Sequence, residues 1–237
     1  MRAFAVLIPA YHPMFELADY VQQLLDQEIP EVVIINDGNS KEYDRLFTNL
    51  SRMERVTVLK HDHNQGKGEG IKTGCRYLLN SSNYYLGLVT ADADGQHAIR
   101  DVIAAGEKLV SSQADIVLGM RRFDYEHVPF RSRLGNELTA KVFNCLYGVY
   151  IRDTQTGLRA WTKELCQPFS ELVGSGFEYE INMLIYLAKK QLNWESNDIS
   201  TIYHSEHFSN YQTVKDSSKI AWQLIKGLGL PVQGGDE

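Results

Sequence analysis

The residues best suited to chemistry are Asp92 and Asp94, in Thr90-Ala91-Asp92-Ala93-Asp94-Gly95-Gln96-His97, directly after the apolar run Tyr84-Tyr85-Leu86-Gly87-Leu88-Val89. Side chains two apart in an extended segment point the same way, so both carboxylates can reach one point in space. Two like charges held that close repel each other unless a cation or a proton lies between them. Hard oxygen ligands suit Mg²⁺ or Mn²⁺, and a divalent metal is therefore one reading. The other is a polar turn with Gly95 at a positive φ, since acidic turns are common.

Three further stretches offer chemistry of their own. Pro9-Ala10-Tyr11 carries a ring that could stack on a base, and Asn36-Asp37-Gly38 carries a carboxylate for a ribose hydroxyl or a base edge, although Asp-Gly is first of all a turn. In Asn64-Gln65-Gly66-Lys67-Gly68-Glu69-Gly70, backbone N–H groups and a lysine at a helix start could meet a phosphate. A helix start with flexible glycines is the plain alternative. The G-x-x-x-x-G-K-[ST] spacing is absent and no G-x-G-x-x-G follows the first strand, so the sequence supports neither a P-loop nucleoside-triphosphatase nor a dinucleotide oxidoreductase. Arg121, Arg122, Arg131 and Arg133 form a basic cluster suited to phosphate oxygens, against the reading of solvated loop arginines. The histidines show no metal-ligand spacing on a helix, which disfavours zinc.

These residues need a frame, and hydrophobic period supplies one. Apolar runs at Ala3 to Ile8, Val32 to Ile35, Val56 to Leu59, Tyr84 to Val89 and Asp115 to Leu118 predict strands. Helical patterns lie between them, near Phe15 to Gln27, after Ser40, near Glu69 to Leu79 and near Ile99 to Val110. Strict alternation means an α/β fold, a mainly parallel central sheet with helices on both faces. Residues 120–133 read as a long loop. Beyond it, helices are expected near Leu134 to Tyr147, Glu178 to Lys190 and Ser217 to Lys226, and a strand near Asp198 to Tyr203. Asp153 to Trp161 reads as a substrate-side loop, and the acidic Glu178 and Glu180 suit a helix start. No repeat or linker interrupts residues 1–237, which read as one domain.

Composition narrows the class. With 43% hydrophobic and 23% charged residues the chain reads as folded and soluble, and a net charge of −6 argues against nucleic acid as a partner. Cys75, Cys145 and Cys166 form no C-x-x-C pair, so neither a zinc site nor a disulfide framework is indicated, and a reducing, cytoplasmic setting fits. No signal peptide is read at the start, and no run approaches the roughly eighteen apolar residues of a membrane span. Ile220, Trp222, Leu224, Ile225 and Leu228 beside Lys219 and Lys226 could lie on the inner face of a membrane, or pack on the sheet as apolar helix faces usually do.

Taken in order, the motifs resemble family 2 glycosyltransferases of the GT-A fold, most closely the dolichyl-phosphate mannosyltransferase-like and bacterial polyprenyl-phosphate glycosyltransferase branch. The resemblance rests on Val6 to Tyr11, Asn36-Asp37-Gly38, Asn64-x-Gly66-Lys67-Gly68, the D-x-D-x-Q-H of residues 92–97 and Gly119-x-Arg121. It continues through Ser132-Arg133-Leu134-Gly135-Asn136, Asp153 to Ala160 and Phe177-Glu178-Tyr179-Glu180 to Lys215-Asp216-Ser217. It implies a nucleotide-diphosphate sugar, a UDP- or GDP-sugar, bound in residues 1–119 by Pro9, Ala10, Tyr11, Asn36, Asp37, Gly66, Lys67, Asp92 and Ala93. Asp92, Asp94 and Gln96 would hold Mg²⁺ or Mn²⁺ on the diphosphate. In residues 120–237, Arg121, Arg131, Arg133 and Ser209 would meet the acceptor or diphosphate, and transfer would invert the anomeric centre. Asp94, Arg121, Arg133 and Glu178 are the implied catalytic set.

The acceptor decides whether a base is needed. A sugar hydroxyl needs a carboxylate to take its proton, for which Glu178 and Asp153 are the candidates. A phosphate monoester, with a second pKa of about 6, is already largely dianionic and needs positioning instead. Arginines outnumber obvious bases here, which favours a polyprenyl or dolichyl phosphate over a saccharide hydroxyl. A non-catalytic sugar-nucleotide-binding subunit is the remaining alternative, against which the intact Asp92 and Asp94 argue. Asn36 stands where the family often has Asp, which leaves the nucleotide open.

Overall fold

The computed structural model describes residues 2–121, 130–200 and 223–229, with the backbone alone over 130–135. A seven-stranded sheet runs in the order β3-β2-β1-β4-β6-β5-β7. Its strands are β1 (Phe4–Ala10), β2 (Val32–Asp37), β3 (Val56–His61), β4 (Gly87–Thr90), β5 (Ile116–Arg121), β6 (Arg159–Thr162) and β7 (Trp194–Ile199). The helices are α1 (Leu17–Asp26), α2 (Asp44–Leu50), α3 (Lys67–Asn80), α4 (Ile99–Ser111), α5 (Phe130–Tyr147), α6 (Cys166–Glu171) and α7 (Glu178–Lys190).

Alternation along β1 divides the core. Phe4, Val6 and Ile8 pack with Val21 and Leu24 of α1, Phe47 of α2 and Val102 of α4. Ala5 and Leu7 face the other way, onto Ile71 and Leu78 of α3, Phe169 of α6 and Leu184 of α7. Both faces of the sheet are thus covered, and this is why its first strands read as continuous apolar runs. Pairing is parallel from β3 through β4, and β6 alone is antiparallel, between β4 and β5.

Strand order turns at β1, with β2 on one side and β4 on the other, and ligands of open α/β sheets bind at such switch points, outside the carboxyl ends of the strands. Local pairing opens the crevice there. The ladder to β2 runs on to Ala10 opposite Asn36, whereas the ladder to β4 stops at Leu7 opposite Thr90. Pro9 has no N–H with which to extend it.

The second half departs from the sequence reading in three places. Arg159–Thr162 is a strand rather than part of a loop, because β4 and β5 both offer it a free edge. Among the described residues the last strand is Trp194–Ile199, parallel to β5, so it starts four residues before the expected Asp198, and residues 201–203 of the expected strand lie outside the described residues. α5 begins at Phe130, so the backbone of Arg131 and Arg133 is helical and not loop. Their side chains, with Arg122, Ser209, the Lys215-Asp216-Ser217 segment, Ile220 and Trp222, lie outside the described residues. Among the described residues no helix is long and apolar enough to cross a membrane.

At the opposite end of the sheet Glu31 is buried directly before β2. Its carboxylate accepts hydrogen bonds from Thr57 Oγ1 (2.7 Å), Tyr77 Oη (2.7 Å) and Tyr85 Oη (2.5 Å). Burial pushes its pKa up, but these hydroxyl donors outweigh burial and leave it below the usual glutamate value. A carboxyl with a lowered folded-state pKa stabilises the fold above its unfolded pKa, and that contribution fades as pH falls through the folded value. Glu31→Gln is therefore expected to lose about 1.5–3 kcal/mol at pH 7, as for hydrogen bonds to a charged group. Denaturant titrations should show the gap between variant and wild type closing at acid pH, and a gap independent of pH would refute the assignment.

Candidate active site

The turn after β4 lies at the mouth of the crevice. Met14 N–H donates to Ala93 O (3.1 Å), which ties the chain leaving β1 to the aspartate turn. Gln96 N–H donates to Asp94 Oδ1 (3.0 Å), and Asp92 N–H donates to Nδ1 of the buried His97 (3.2 Å), so the turn is closed by its own residues. His97 thereby holds the turn, a role that its sequence context did not suggest. Gly95 has φ 72°, as the turn reading anticipated. The two carboxylates nevertheless differ. Asp92 is ion-paired with Lys67, Nζ to Oδ1 at 2.6 Å. Burial raises its pKa, and Lys67, helped by His97 and Arg121, overrides that and holds it at about 2. Asp94 is pushed the other way, by burial and then by the charge of Asp92.

Lys67 opens α3, and its ammonium also meets Glu180 Oε1 of α7 at 3.1 Å. Burial opposes the charge, but Asp92 and Glu180 outweigh it and hold the ammonium above the ordinary lysine range. Several N–H groups of the glycine-rich turn are engaged within the protein. Gly66 N–H donates to Asp37 Oδ2 (2.9 Å), and Gly68 and Glu69 N–H both donate to Ser175 O (2.7 and 3.3 Å). The helix start is thus capped in part by the loop before α7, closer to the plain helix start than to a set of amides all open to a phosphate. Gly66 is obligatory by conformation, with φ 97°.

Asp37 is buried at the end of β2 and serves the same turn. Its Oδ1 accepts from Gln65 N–H (2.9 Å) and His61 Nδ1 (2.7 Å), and Thr73 Oγ1 closes on His61 Nε2 (2.9 Å). Beside it Asn39 bridges the ends of β1 and β2. Its Nδ2 donates to Ala10 O (2.7 Å) and Asn36 Oδ1 (2.9 Å), and its Oδ1 accepts from His12 N–H (2.7 Å). Tyr11 stands 48% exposed at this edge, available to a planar ligand.

On the far side Arg121, at the end of β5, is held by Asp153. Nε donates to Oδ2 (2.7 Å) and Nη2 to Oδ1 (2.9 Å) in a bidentate pair. Asp153 also accepts from Gln155 N–H at Oδ1 (3.1 Å), and its side chain is fully buried. Glu178 Oε1 accepts from Ser175 and Gly176 N–H (2.9 and 3.0 Å). Burial raises its pKa, and these backbone donors overcome that and lower it. Both carboxylates named as candidate bases are therefore engaged in structural bonds. Asn136 explains its own motif: Nδ2 donates to Arg152 O (2.7 Å), and Oδ1 accepts from Thr154 N–H (3.1 Å), which pins the loop that carries Asp153.

Glu180 and Gly157, like His97, line the site without a role assigned from the sequence. Glu180 had a signal, since it is an acidic residue set between Tyr179 and Ile181 in a helix where nearly every neighbour is buried. Gly157 had none, because its value is the space it leaves.

A family model described as glycosyl transferase family 2 matches residues 5–166. A UDP-N-acetylglucosamine–dolichyl-phosphate N-acetylglucosaminyltransferase from Methanococcus voltae is 27% identical over 240 residues, covering 93% of this chain and 94% of that protein. Dolichyl-phosphate beta-glucosyltransferase ALG5A from Trichomonas vaginalis is 28% identical over 145 residues, 58% of this chain and 43% of that protein. Among solved structures, glucosyl-3-phosphoglycerate synthase from Mycobacterium tuberculosis, in complex with Mn²⁺, UDP and phosphoglyceric acid, aligns with a TM-score of 0.72 at 15% identity. That alignment covers 97% of this chain and 80% of the synthase, a likeness of fold, the GT-A fold that the motif order implies. Because the matched stretch runs from β1 into α6 and so takes in the strand ends that form the crevice, the chain belongs to glycosyl transferase family 2 and is a glycosyltransferase.

Proposed function

We propose that this glycosyltransferase transfers a sugar, with inversion, from a UDP- or GDP-sugar to a polyprenyl or dolichyl phosphate, with a divalent cation, Mg²⁺ or Mn²⁺, at Asp92 and Asp94. The observation that carries the acceptor is the engagement of Asp153 with Arg121 and of Glu178 with two backbone amides. A phosphate nucleophile needs no such base. The names of the Methanococcus and Trichomonas relatives support the same acceptor class, and the Methanococcus name and the UDP in the mycobacterial synthase support a UDP-linked donor.

The donor set suits a hard cation. Asp94 is raised by burial and by Asp92, which is the response of a carboxylate short of positive charge. Among the described residues no group of three or more His, Cys, Asp and Glu side chains is gathered for a metal. Mg²⁺ commonly binds through one or two carboxylates plus substrate phosphates and water, a pattern that two aspartates satisfy; Gln96 would support them from the same turn. When bound, the cation would neutralise charge developing on the departing nucleoside diphosphate.

In this reading Tyr11 stacks on the base, with Pro9, Ala10, Asn36 and Asp37 shaping its edge, and Gly66, Lys67 and Ala93 frame the diphosphate. Asp153 aims Arg121 across the crevice, and Arg121, Arg131, Arg133 and Ser209 hold the acceptor phosphate. Donor contacts thus fall in residues 1–119 and acceptor contacts in 120–237 of one working domain. A lipid acceptor would place the enzyme at the inner face of a membrane.

Calorimetric titration with UDP and GDP should show binding that weakens roughly tenfold or more when Mn²⁺ is withheld, because a cation held by Asp92 and Asp94 would offset the charge of the phosphates. No binding, or binding indifferent to metal, would sink the donor assignment. Labelled donor offered with dolichyl phosphate or with oligosaccharides tests the acceptor. Label that enters only the aqueous oligosaccharide would favour the hydroxyl acceptor.

A further inference from the structure

We propose that Glu180 is a positioning residue for the donor site, acting through Lys67 on Asp92; this rests on the donor reading above. The three side chains come from separate elements, the turn after β4, the start of α3 and the first turn of α7, and meet at one ammonium. Nζ lies 2.6 Å from Asp92 Oδ1 and 3.1 Å from Glu180 Oε1. Glu180 is almost wholly buried, its side chain 8% exposed. A lysine paired with Asp92 alone could follow that carboxylate or swing to a phosphate. A second carboxylate fixes where the ammonium stands, and with it which oxygen of Asp92 is already occupied.

Two further contacts make this a rigid assembly. A Cβ at Gly157 would lie 2.5 Å from Asp92 Oδ2 and 2.6 Å from Lys67 Nζ, so the ion pair rests directly on that glycine. Gly157 is itself held, its carbonyl accepting from Thr90 Oγ1 at 2.8 Å. Behind it the buried Arg159 donates from Nη1 to Glu180 O (2.6 Å) and from Nε to Thr156 O (3.1 Å), fastening the start of α7 to the glycine loop. Asp92 is thereby braced on one side by the ammonium and on another by backbone. Groups that hydrogen-bond a metal ligand commonly matter tenfold to a hundredfold for metal affinity or activity, and Glu180 stands one contact further out, so the lower end of that range is expected.

The test measures Mn²⁺ affinity in the presence of UDP, by the free-Mn²⁺ resonance signal, alongside kcat, donor KM and the thermal midpoint. Glu180→Ala is expected to weaken Mn²⁺ binding roughly tenfold and to raise donor KM more than it lowers kcat. Glu180→Gln keeps an oxygen for Lys67 and should recover most of the loss. Gly157→Ala reaches the same contact from the other side and should weaken Mn²⁺ likewise, so the proposal stays testable if Glu180→Ala does not fold. Wild-type Mn²⁺ affinity in folded Glu180→Ala or Gly157→Ala overturns it. So does a fall in kcat alone that glutamine fails to rescue, which would make Glu180 a base. Wild-type protein that binds no Mn²⁺ with UDP would instead defeat the donor reading, and this inference with it.

Discussion

Asp94→Asn is expected to lower sugar transfer by about two to three orders of magnitude, the scale on which removal of a preorganised charge stabiliser acts, while the thermal midpoint stays near that of wild type. The asparagine keeps an Oδ1 to accept the Gln96 amide, so the turn should close as before. What is lost is negative charge at the place where burial and Asp92 already make a cation welcome. Asp92 is a poorer probe, because its carboxylate also compensates Lys67 and its loss would leave that ammonium to Glu180 alone. Initial rates of label transfer to lipid phosphate, with circular dichroism as the control, decide the matter. Activity within about threefold of wild type would remove Asp94 from the reaction.

Arg159→Met should have the largest effect on stability. The arginine is 1% exposed, and its guanidinium donates to the carbonyls of Thr156, Glu180 and Thr154. Burial works against its charge, with Glu180 and Asp153 supporting it. Methionine matches much of the volume but leaves three carbonyls without that donor and two carboxylates short of a cation. Loss of one partner from a buried charged group costs about 3–5 kcal/mol. For a chain of this size that is roughly 6–20 °C in thermal midpoint. A drop under about 3 °C would mean that water or neighbouring side chains replace the guanidinium readily.

β1, β2, β4 and β5 were legible because they are buried on both faces and so read as apolar runs closed by polar turns, and the partly buried edge strand β3 still shows the run Val56-Thr57-Val58-Leu59. β6 was not. Its four residues include a buried arginine, and Arg159 reads as polar surface until the carbonyls that surround it are known. β7 reads Trp194-Glu195-Ser196-Asn197-Asp198-Ile199, a polar edge strand whose pairing with β5, rather than its own period, makes it extended. The Asp92 and Asp94 pair was visible from residue type and spacing. The partners of Asp92 were not, since Lys67 and Glu180 are distant in sequence and only packing of α3 and α7 on one face of the sheet brings them together. The glycine-rich turn shows the opposite limit. Its composition was plain, but whether its amides face a ligand or a carbonyl depends on Ser175, a residue without any motif signal.

The insertion of β6 between β4 and β5 sets an order of assembly. β1 to β4 can pair once residue 90 has been made, yet Gly87-Leu88-Val89-Thr90 keeps an open edge until Arg159–Thr162 arrives to fill it. During synthesis that edge is an unsatisfied ladder of apolar residues, a site for mispairing whose shortness limits the hazard. The brace on Asp92 comes later still, because Gly157 precedes β6 and Glu180 follows it. A growing chain therefore carries Asp92 long before it can brace it, and in the donor reading proposed above catalytic competence would arrive with the closing of the last long-range contacts rather than with the residue itself.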